Sequence, residues 1–347
     1  RLNIKRGKKM KAIGFRRSLP ITEEESFIAF DTTKPSPSGF DILVELAAVS
    51  VNPVDFKVRQ NTAKDRILDS PKIIGYDGVG TVVEVGEKVS HFEVGDEVFY
   101  AGDISRSGSN AMYQLIDERI VGTKPKTLSA AEAVALPLTG LTAWESIFDR
   151  MKVDPNTDKG KSILILAGAG GVGSIAIQIA KQVAGLTVIA TASREETGRW
   201  CKSMGADHVV NHHDLKASLL QAGYKEVDYV LDCVDINGYW ETLVDIVKPQ
   251  GHIVTITGSD KPLNLMLLKN KSVSFSWEYM FTRSLYTTSD ILKQQQILNK
   301  LAELIDRGII KTTLNTIFNG FTVDNFKKAH QLQESGKSIG KTVVVFK

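Results

Sequence analysis

Hydrophobic positions fall into two textures along the chain. Up to about Leu136 they come in short runs, such as DILVELAAVSV (41–51), GTVVEVG (80–86) and GDEVFYA (95–101), broken by Gly, Pro and Asp. Such runs predict the short strands and turns of a compact, largely antiparallel β domain over residues 10–136. From about Gly160 the runs become SILILA (162–167), LTVIATA (186–192), DHVVN (207–211), DYVLDCV (228–234) and GHIVTITG (251–258). These are apolar throughout, as strands are when both faces of a parallel sheet are covered. Between the first two, Val172, Ile175, Ala176, Ile179, Ala180 and Val183 recur at three- and four-residue steps, the stripe of a helix. Strand and helix in alternation predict an α/β fold with a doubly wound parallel sheet over 137–285. Near Tyr286 the pattern leaves the sheet. KQQQILNKLAELIDRG and FTVDNFKKAHQLQESG read as helices and KTVVVFK as a strand, so 286–347 are expected to return to the first domain.

The strand SILILA runs into a loop, Gly168, Ala169, Gly170, Gly171, Val172 and Gly173, that opens a helix. A bare GxGxxG is weak evidence, but here both flanks match a dinucleotide site. The first glycine permits the turn, the second lets backbone approach a pyrophosphate, and the third lets helix and strand pack closely. The anion is then held by N–H groups at the positive end of the helix. An NAD site would place Asp or Glu about 20 residues further on. Here the second strand runs into Ser193 and Arg194, a hydroxyl and a guanidinium suited to a 2′-phosphate. His212, expected at the end of the third strand, stands beside the same corner. The cofactor expected is NADPH.

A second glycine-rich stretch, IGYDGVG (74–80), heads an alternating run. Its glycines predict a tight turn, with a phenol and a carboxylate between them. Together with NPVD (52–55), GYDGVGTVVEVGEKVSHFEVGDEV (75–98), LPLTGLTAWESI (136–147) and AGAGGVG (167–173), the chain resembles the medium-chain dehydrogenase/reductases from Met10 to Lys347. Within them it is similar to the quinone oxidoreductase branch.

The resemblance implies a Rossmann domain and a GroES-like catalytic domain. It puts Asn52 and Tyr76 where the zinc alcohol dehydrogenases carry a Cys and a His ligand, and the lobe with four cysteines is missing. It implies no metal, and Asp77 is expected to anchor backbone N–H groups of its own turn. It carries cofactor contacts over to the Gly168–Gly173 loop, Ser193, Arg194, His212, Thr142, Cys233 and Gly258, and places Lys337 near the cofactor cleft. The activity implied is hydride transfer from NADPH to a quinone or an enone. Asn52, Tyr76 and Thr142 are the candidate donors to the developing oxyanion. Each has a structural alternative: Asn52 capping its turn, Tyr76 packing its ring, Thr142 starting a helix. Zinc-type alcohol dehydrogenase and a regulatory NADPH-binding protein with little turnover are the competing readings.

Other groups offer less. Cys201 reads as core, Cys233 has no histidine placed to activate it, and His208, His212 and His213 cluster near one strand, where neighbouring residues face opposite sides, which argues against a three-histidine metal site. Trp277, Tyr279 and Phe281 read as core, interface or cleft lining. Of 43 Lys and Arg against 40 Asp and Glu, five basic residues lie in RLNIKRGKK (1–9), read as a non-native extension. The remaining 38 against 40 leave a nearly neutral body, with nothing directed at nucleic acid. Only two cysteines occur in 347 residues, which fits a reducing cytoplasm, and no apolar run is long enough to span a membrane. The edge strand expected in KNKSVSFSWEY predicts a homodimer.

Overall fold

The computed structural model describes residues 7–347; residues 1–6 of the expected extension lie outside the described residues. Lys9, also assigned to that extension, already pairs with Thr33. The chain divides into two compact units, one running to Leu138 and resuming at Phe281–Lys347, the other formed by Thr139–Met280.

The first unit opens with β1 (Lys9–Gly14) and β2 (Ile28–Thr33), an antiparallel pair. Then come β3 (Asp41–Val51), α1 (Pro53–Thr62), β4 (Gly78–Val85), β5 (Glu97–Tyr100), β6 (Tyr113–Asp117) and β7 (Val121–Thr123). Helix α2 (Ala130–Val134) follows, and α3 (Pro137–Trp144) leads into the second unit.

The second unit contains β8 (Ser162–Ile165), α4 (Gly171–Gln178), β9 (Thr187–Thr191), α5 (Glu195–Met204), β10 (His208–Val210), α6 (Leu215–Gln221), β11 (Val227–Asp232), α7 (Ile236–Ile246), β12 (Val247–Thr255) and β13 (Ser274–Trp277). Its six strands are all parallel, in the order β10-β9-β8-β11-β12-β13. The strand order reverses between β8 and β11, and ligands of such sheets bind in the crevice at that point. Leu164, Ile189, Val230 and Ile253, on four neighbouring strands, share one core with Trp240 and Leu243 of α7. Sheet and helices therefore cover each other, as the unbroken apolar runs require.

The return to the first unit comprises α8 (Thr282–Tyr286), α9 (Leu292–Asp306), β14 (Leu314–Asn319), α10 (Val323–Glu334) and β15 (Lys341–Val345). Strand β15 runs antiparallel to β3, and β14 lies outside it in the sheet β14-β15-β3-β4-β5-β7. Phe326 and Ala329 of α10 and Val344 of β15 join Ile42, Val44 and Val98 in a single core. Strand β14 has no counterpart in the sequence reading, because its residues are only half-buried on one face and exposed on the other.

Three expectations need local correction. Thr142 lies inside α3 rather than starting a helix. His212 opens a 3₁₀ turn two residues past the end of β10. The edge strand begins at Ser274, because Leu265–Lys271 form a 3₁₀ helix closed by Ser272 in the left-handed region, φ 50°. No helix among the described residues is long and apolar enough to cross a membrane.

Candidate functional site

In the second unit the loop after β8 is strapped to the neighbouring strand. Thr191 Oγ1 accepts from the N–H of Ala167 at 2.9 Å, and the Thr191 carbonyl accepts from the N–H of Gly168 at 3.1 Å. A Cβ on Gly168 would lie 2.7 Å from Ala190 Cβ and 2.9 Å from Cys201 Sγ. One on Gly173 would lie 2.3 Å from the Ala167 carbonyl oxygen. Those two glycines are required by packing. A Cβ on Gly170 would meet only the Ala167 carbonyl oxygen, at 3.3 Å, a tight contact rather than a clash. The first helical bond of α4 is Ser174 N–H to the Gly170 carbonyl, which leaves the N–H groups of Gly171, Val172 and Gly173 outside the helical ladder. Ala169 is buried. This is a cradle for an anion.

Ser193 and Arg194 are exposed just beyond β9, with Arg194 as the residue preceding α5. Glu195, the nearest carboxylate in sequence, is ion-paired with Arg199 one turn on. His212 follows β10, the strand beside β9, and its ring lies 4.2 Å from that of His213. Partial burial and the neighbouring His213 hold its pKa below the usual imidazole range. Cys233 and Gly258 follow β11 and β12, so Gly168, Arg194, His212, Cys233 and Gly258 all lie past the carboxyl ends of strands. His208 instead meets the Tyr224 hydroxyl at 3.3 Å. Burial pushes the Cys201 thiol up to about 12, as a core thiol requires.

Sequence reasoning missed Asp232. Buried at the end of β11, it accepts from the N–H groups of Val234 and Asp235 at 3.0 Å each, and from the hydroxyls of Thr255 and Thr257 at 2.7 and 2.9 Å. It fixes the loop that carries Cys233. The signal was a carboxylate closing an otherwise apolar strand. Thr142 is buried, and its carbonyl accepts from the Ser146 hydroxyl at 2.7 Å.

In the first unit, Gly75 has φ 103°, and a Cβ there would lie 2.3 Å from Asn110 Oδ1. A Cβ on Gly78 would press into the Tyr100 ring at 2.7 Å. The turn thus delivers Tyr76 and Asp77 to the buried end of β3. The Tyr76 ring is buried and packs edge-on against Phe281, centroids 5.4 Å apart. Asn52 follows β3 and precedes Pro53, the first residue of α1; Asp55 accepts from its backbone N–H at 2.8 Å.

Asp77 does not anchor its own turn. Its Oδ1 accepts from the N–H of Leu138 at 2.8 Å; its Oδ2 accepts from Asn52 Nδ2 at 2.8 Å and from the Ser50 hydroxyl. The ammonium of Lys341, on β15, lies 3.7 Å from the same oxygen. Lys341 donates to the Val51 carbonyl at 2.9 Å and to Asn52 Oδ1. Burial lowers the Lys341 pKa and raises that of Asp77, and their mutual attraction opposes both shifts. Burial pushes Asp55 up to about 7, against the Asn52 N–H and the Lys341 charge.

Lys341 was missed too. Lys337, expected near the cofactor cleft, is exposed just after α10. Nothing local in the sequence separates this lysine from a solvated one, because Asn52 and Asp77 lie far away along the chain.

Residues 38–145 match the alcohol dehydrogenase GroES-like domain, and 171–294 match the zinc-binding dehydrogenase domain. A zinc-type alcohol dehydrogenase-like protein of Staphylococcus aureus is 44% identical over 338 residues, covering 96% of this chain and 99% of that protein. The chain belongs to the medium-chain dehydrogenase/reductase superfamily. It is an oxidoreductase of that family. Among other members, the quinone oxidoreductase of Coxiella burnetii superposes with a TM-score of 0.80 at 29% identity, over 98% of this chain and 100% of that one. The chloroplastic NADPH-dependent alkenal/one oxidoreductase of Arabidopsis thaliana is 36% identical over 310 residues, 87% of this chain and 71% of that protein.

The zinc in the family's naming does not fit the groups found here. Zinc is held by thiolate, imidazole and carboxylate ligands. Asn52, Asp55, Asp77 and Ser50 offer an amide, two carboxylates and a hydroxyl, with the Lys341 ammonium already bonded among them. A divalent cation on Asp77 would face that ammonium at close range.

Proposed function

We propose that the protein reduces quinones or α,β-unsaturated carbonyls with NADPH and without a metal. The observation that carries this reading is the Asn52–Asp77–Lys341 cluster, an amide donor, a carboxylate acceptor and one organic cation in place of metal ligands. A zinc alcohol dehydrogenase relies on its metal as the Lewis acid that forms the alkoxide. Reduction of an electron-poor acceptor needs orientation and a donor at oxygen.

Bound NADPH would supply hydride to the electrophilic carbon. The electron pair of the conjugated system moves to oxygen, which takes a proton from solvent. The Gly168–Gly173 loop would hold the pyrophosphate, and Ser193 and Arg194 the 2′-phosphate. Asn52 and Tyr76 would donate to the developing oxyanion. The names of the Arabidopsis and Coxiella relatives support this chemistry. The test is NADPH oxidation with 9,10-phenanthrenequinone and 2-cyclohexenone, against NADP⁺ reduction with simple alcohols. Alcohol turnover alone would sink the assignment.

The same reading includes a homodimer. Strand β13 is an edge of the parallel sheet, and Trp277 and Tyr279 beside it are about half exposed, at 51% and 46%. An unpaired edge flanked by aromatic rings favours pairing with a second copy. Light scattering at micromolar concentration should give twice the chain mass.

A further inference from the structure

We infer that Lys341 is a positioning residue, whose buried ammonium fixes the orientation of the Asn52 carboxamide and so aims a catalytic donor. The inference rests on the proposed donor role of Asn52. An ammonium carries three N–H donors. Lys341 has three acceptors around it: the Val51 carbonyl, Asn52 Oδ1 and Asp77 Oδ2. The first two place the charge beside the end of β3, and the third balances it.

A side-chain amide can sit in either of two orientations that exchange its oxygen and nitrogen. Around Asn52 only one is compatible with its neighbours. Oxygen faces the ammonium, and Nδ2 donates to Asp77 at 2.8 Å. The reversed amide would turn N–H groups towards Lys341 and oxygen towards the carboxylate, unfavourable at both ends. Burial sharpens the choice, because Asn52, Asp77 and Lys341 are 1%, 0% and 2% exposed.

Nδ2 carries two hydrogens and Asp77 takes one. The other has no acceptor among the described residues, and the amide cannot rotate to spend it elsewhere. An oriented donor aimed before substrate arrives needs no reorganisation during reaction. A plain structural role would require only that Lys341 neutralise Asp77. The bond to Asn52 Oδ1 goes beyond that requirement.

The test uses the full chain, with Lys341→Met, Lys341→Gln, Asn52→Ala and the double variants. Lys341→Met should lower kcat with 2-cyclohexenone about ten- to a hundred-fold while the KM for NADPH stays within about twofold. In the Asn52→Ala background it should lower kcat no further, since the two act through one donor. Lys341→Gln keeps an N–H donor for Asn52 Oδ1 and should restore part of kcat. It also replaces the methionine variant in the cycle if that one fails to fold. The Asn52 side-chain amide signal, identified by its loss in Asn52→Ala, should shift in the ¹⁵N spectrum of the Lys341 variants.

Additive losses in kcat, or an unmoved amide signal, would overturn the inference. A wild-type chain inactive on every quinone and enone would overturn the functional reading instead. The amide signal would still report whether Lys341 orients Asn52.

Discussion

Lys341 and Asp77 stand 3.7 Å apart inside the first unit, both fully withdrawn from solvent. Losing one member of a buried pair strands the other charge, at about 3–5 kcal/mol. Zinc bound by Asp77 would have to displace the ammonium and strand it in the same way. Elemental analysis of purified protein should therefore find far less than one zinc per chain. Activity should survive prolonged treatment with chelators. One zinc per chain would contradict the donor chemistry described for this cluster.

Arg194 sets the second expectation. Removing a charge-assisted contact to a 2′-phosphate costs about 1.5–3 kcal/mol. Arg194→Ala should weaken NADPH binding by roughly ten- to a hundred-fold and leave NADH nearly unchanged. Fluorescence titration with both nucleotides distinguishes this from a general loss, in which both would weaken alike.

Tyr76 separates ring from hydroxyl. Tyr76→Phe keeps the edge-on contact with Phe281, so the ring stays packed while kcat should fall by up to about 10²-fold. Tyr76→Ala removes the ring and should destabilise the fold by about 3 kcal/mol. A silent Tyr76→Phe would confine the residue to packing.

Asp55 supplies a pH dependence. Its folded pKa, pushed up to about 7 from 3.8 by burial, means that the native state holds this proton more tightly than the unfolded chain. Its contribution to stability is complete below about pH 4 and is lost as pH rises through 7. Asp55→Asn keeps an acceptor for the Asn52 N–H and cannot ionise. Denaturant unfolding between pH 4 and 8 should show wild-type stability falling relative to the variant as pH rises. Parallel curves would mean that Asp55 does not titrate there.

Local patterns were legible and long-range ones were not. The Gly168–Gly173 loop could be placed because its strand and helix adjoin it in sequence. Its first and last glycines proved to be demanded by Ala190, Cys201 and the Ala167 carbonyl. The unbroken apolar runs gave the parallel strands for the same reason. Lys341 was invisible because its partner Asn52 lies 289 residues away. A lysine in a strand reads as solvated until the opposing strand is known. Strand β14 was lost because its half-buried face carries little hydrophobic contrast. Asp77 was read as a turn anchor because its actual partners, Ser50, Asn52 and Leu138, lie 25 to 61 residues off.

The pairing of β15 with β3 also bears on biosynthesis. The second unit is one continuous segment, Thr139–Met280, and all its strands are available once that segment has left the ribosome. The first unit has to wait, because Lys341 on β15 is what sits against Asp55, Asp77 and Asn52. Until residue 341 emerges, two carboxylates destined for burial have no cation, and the Ala48–Val51 end of β3 lacks the neighbour that β15 provides. Such contacts of high sequence separation form slowly, and exposed strand edges recruit other chains in the meantime. The segment translated second is thus free to fold first, and the nascent β-rich unit is the part that calls for chaperone protection.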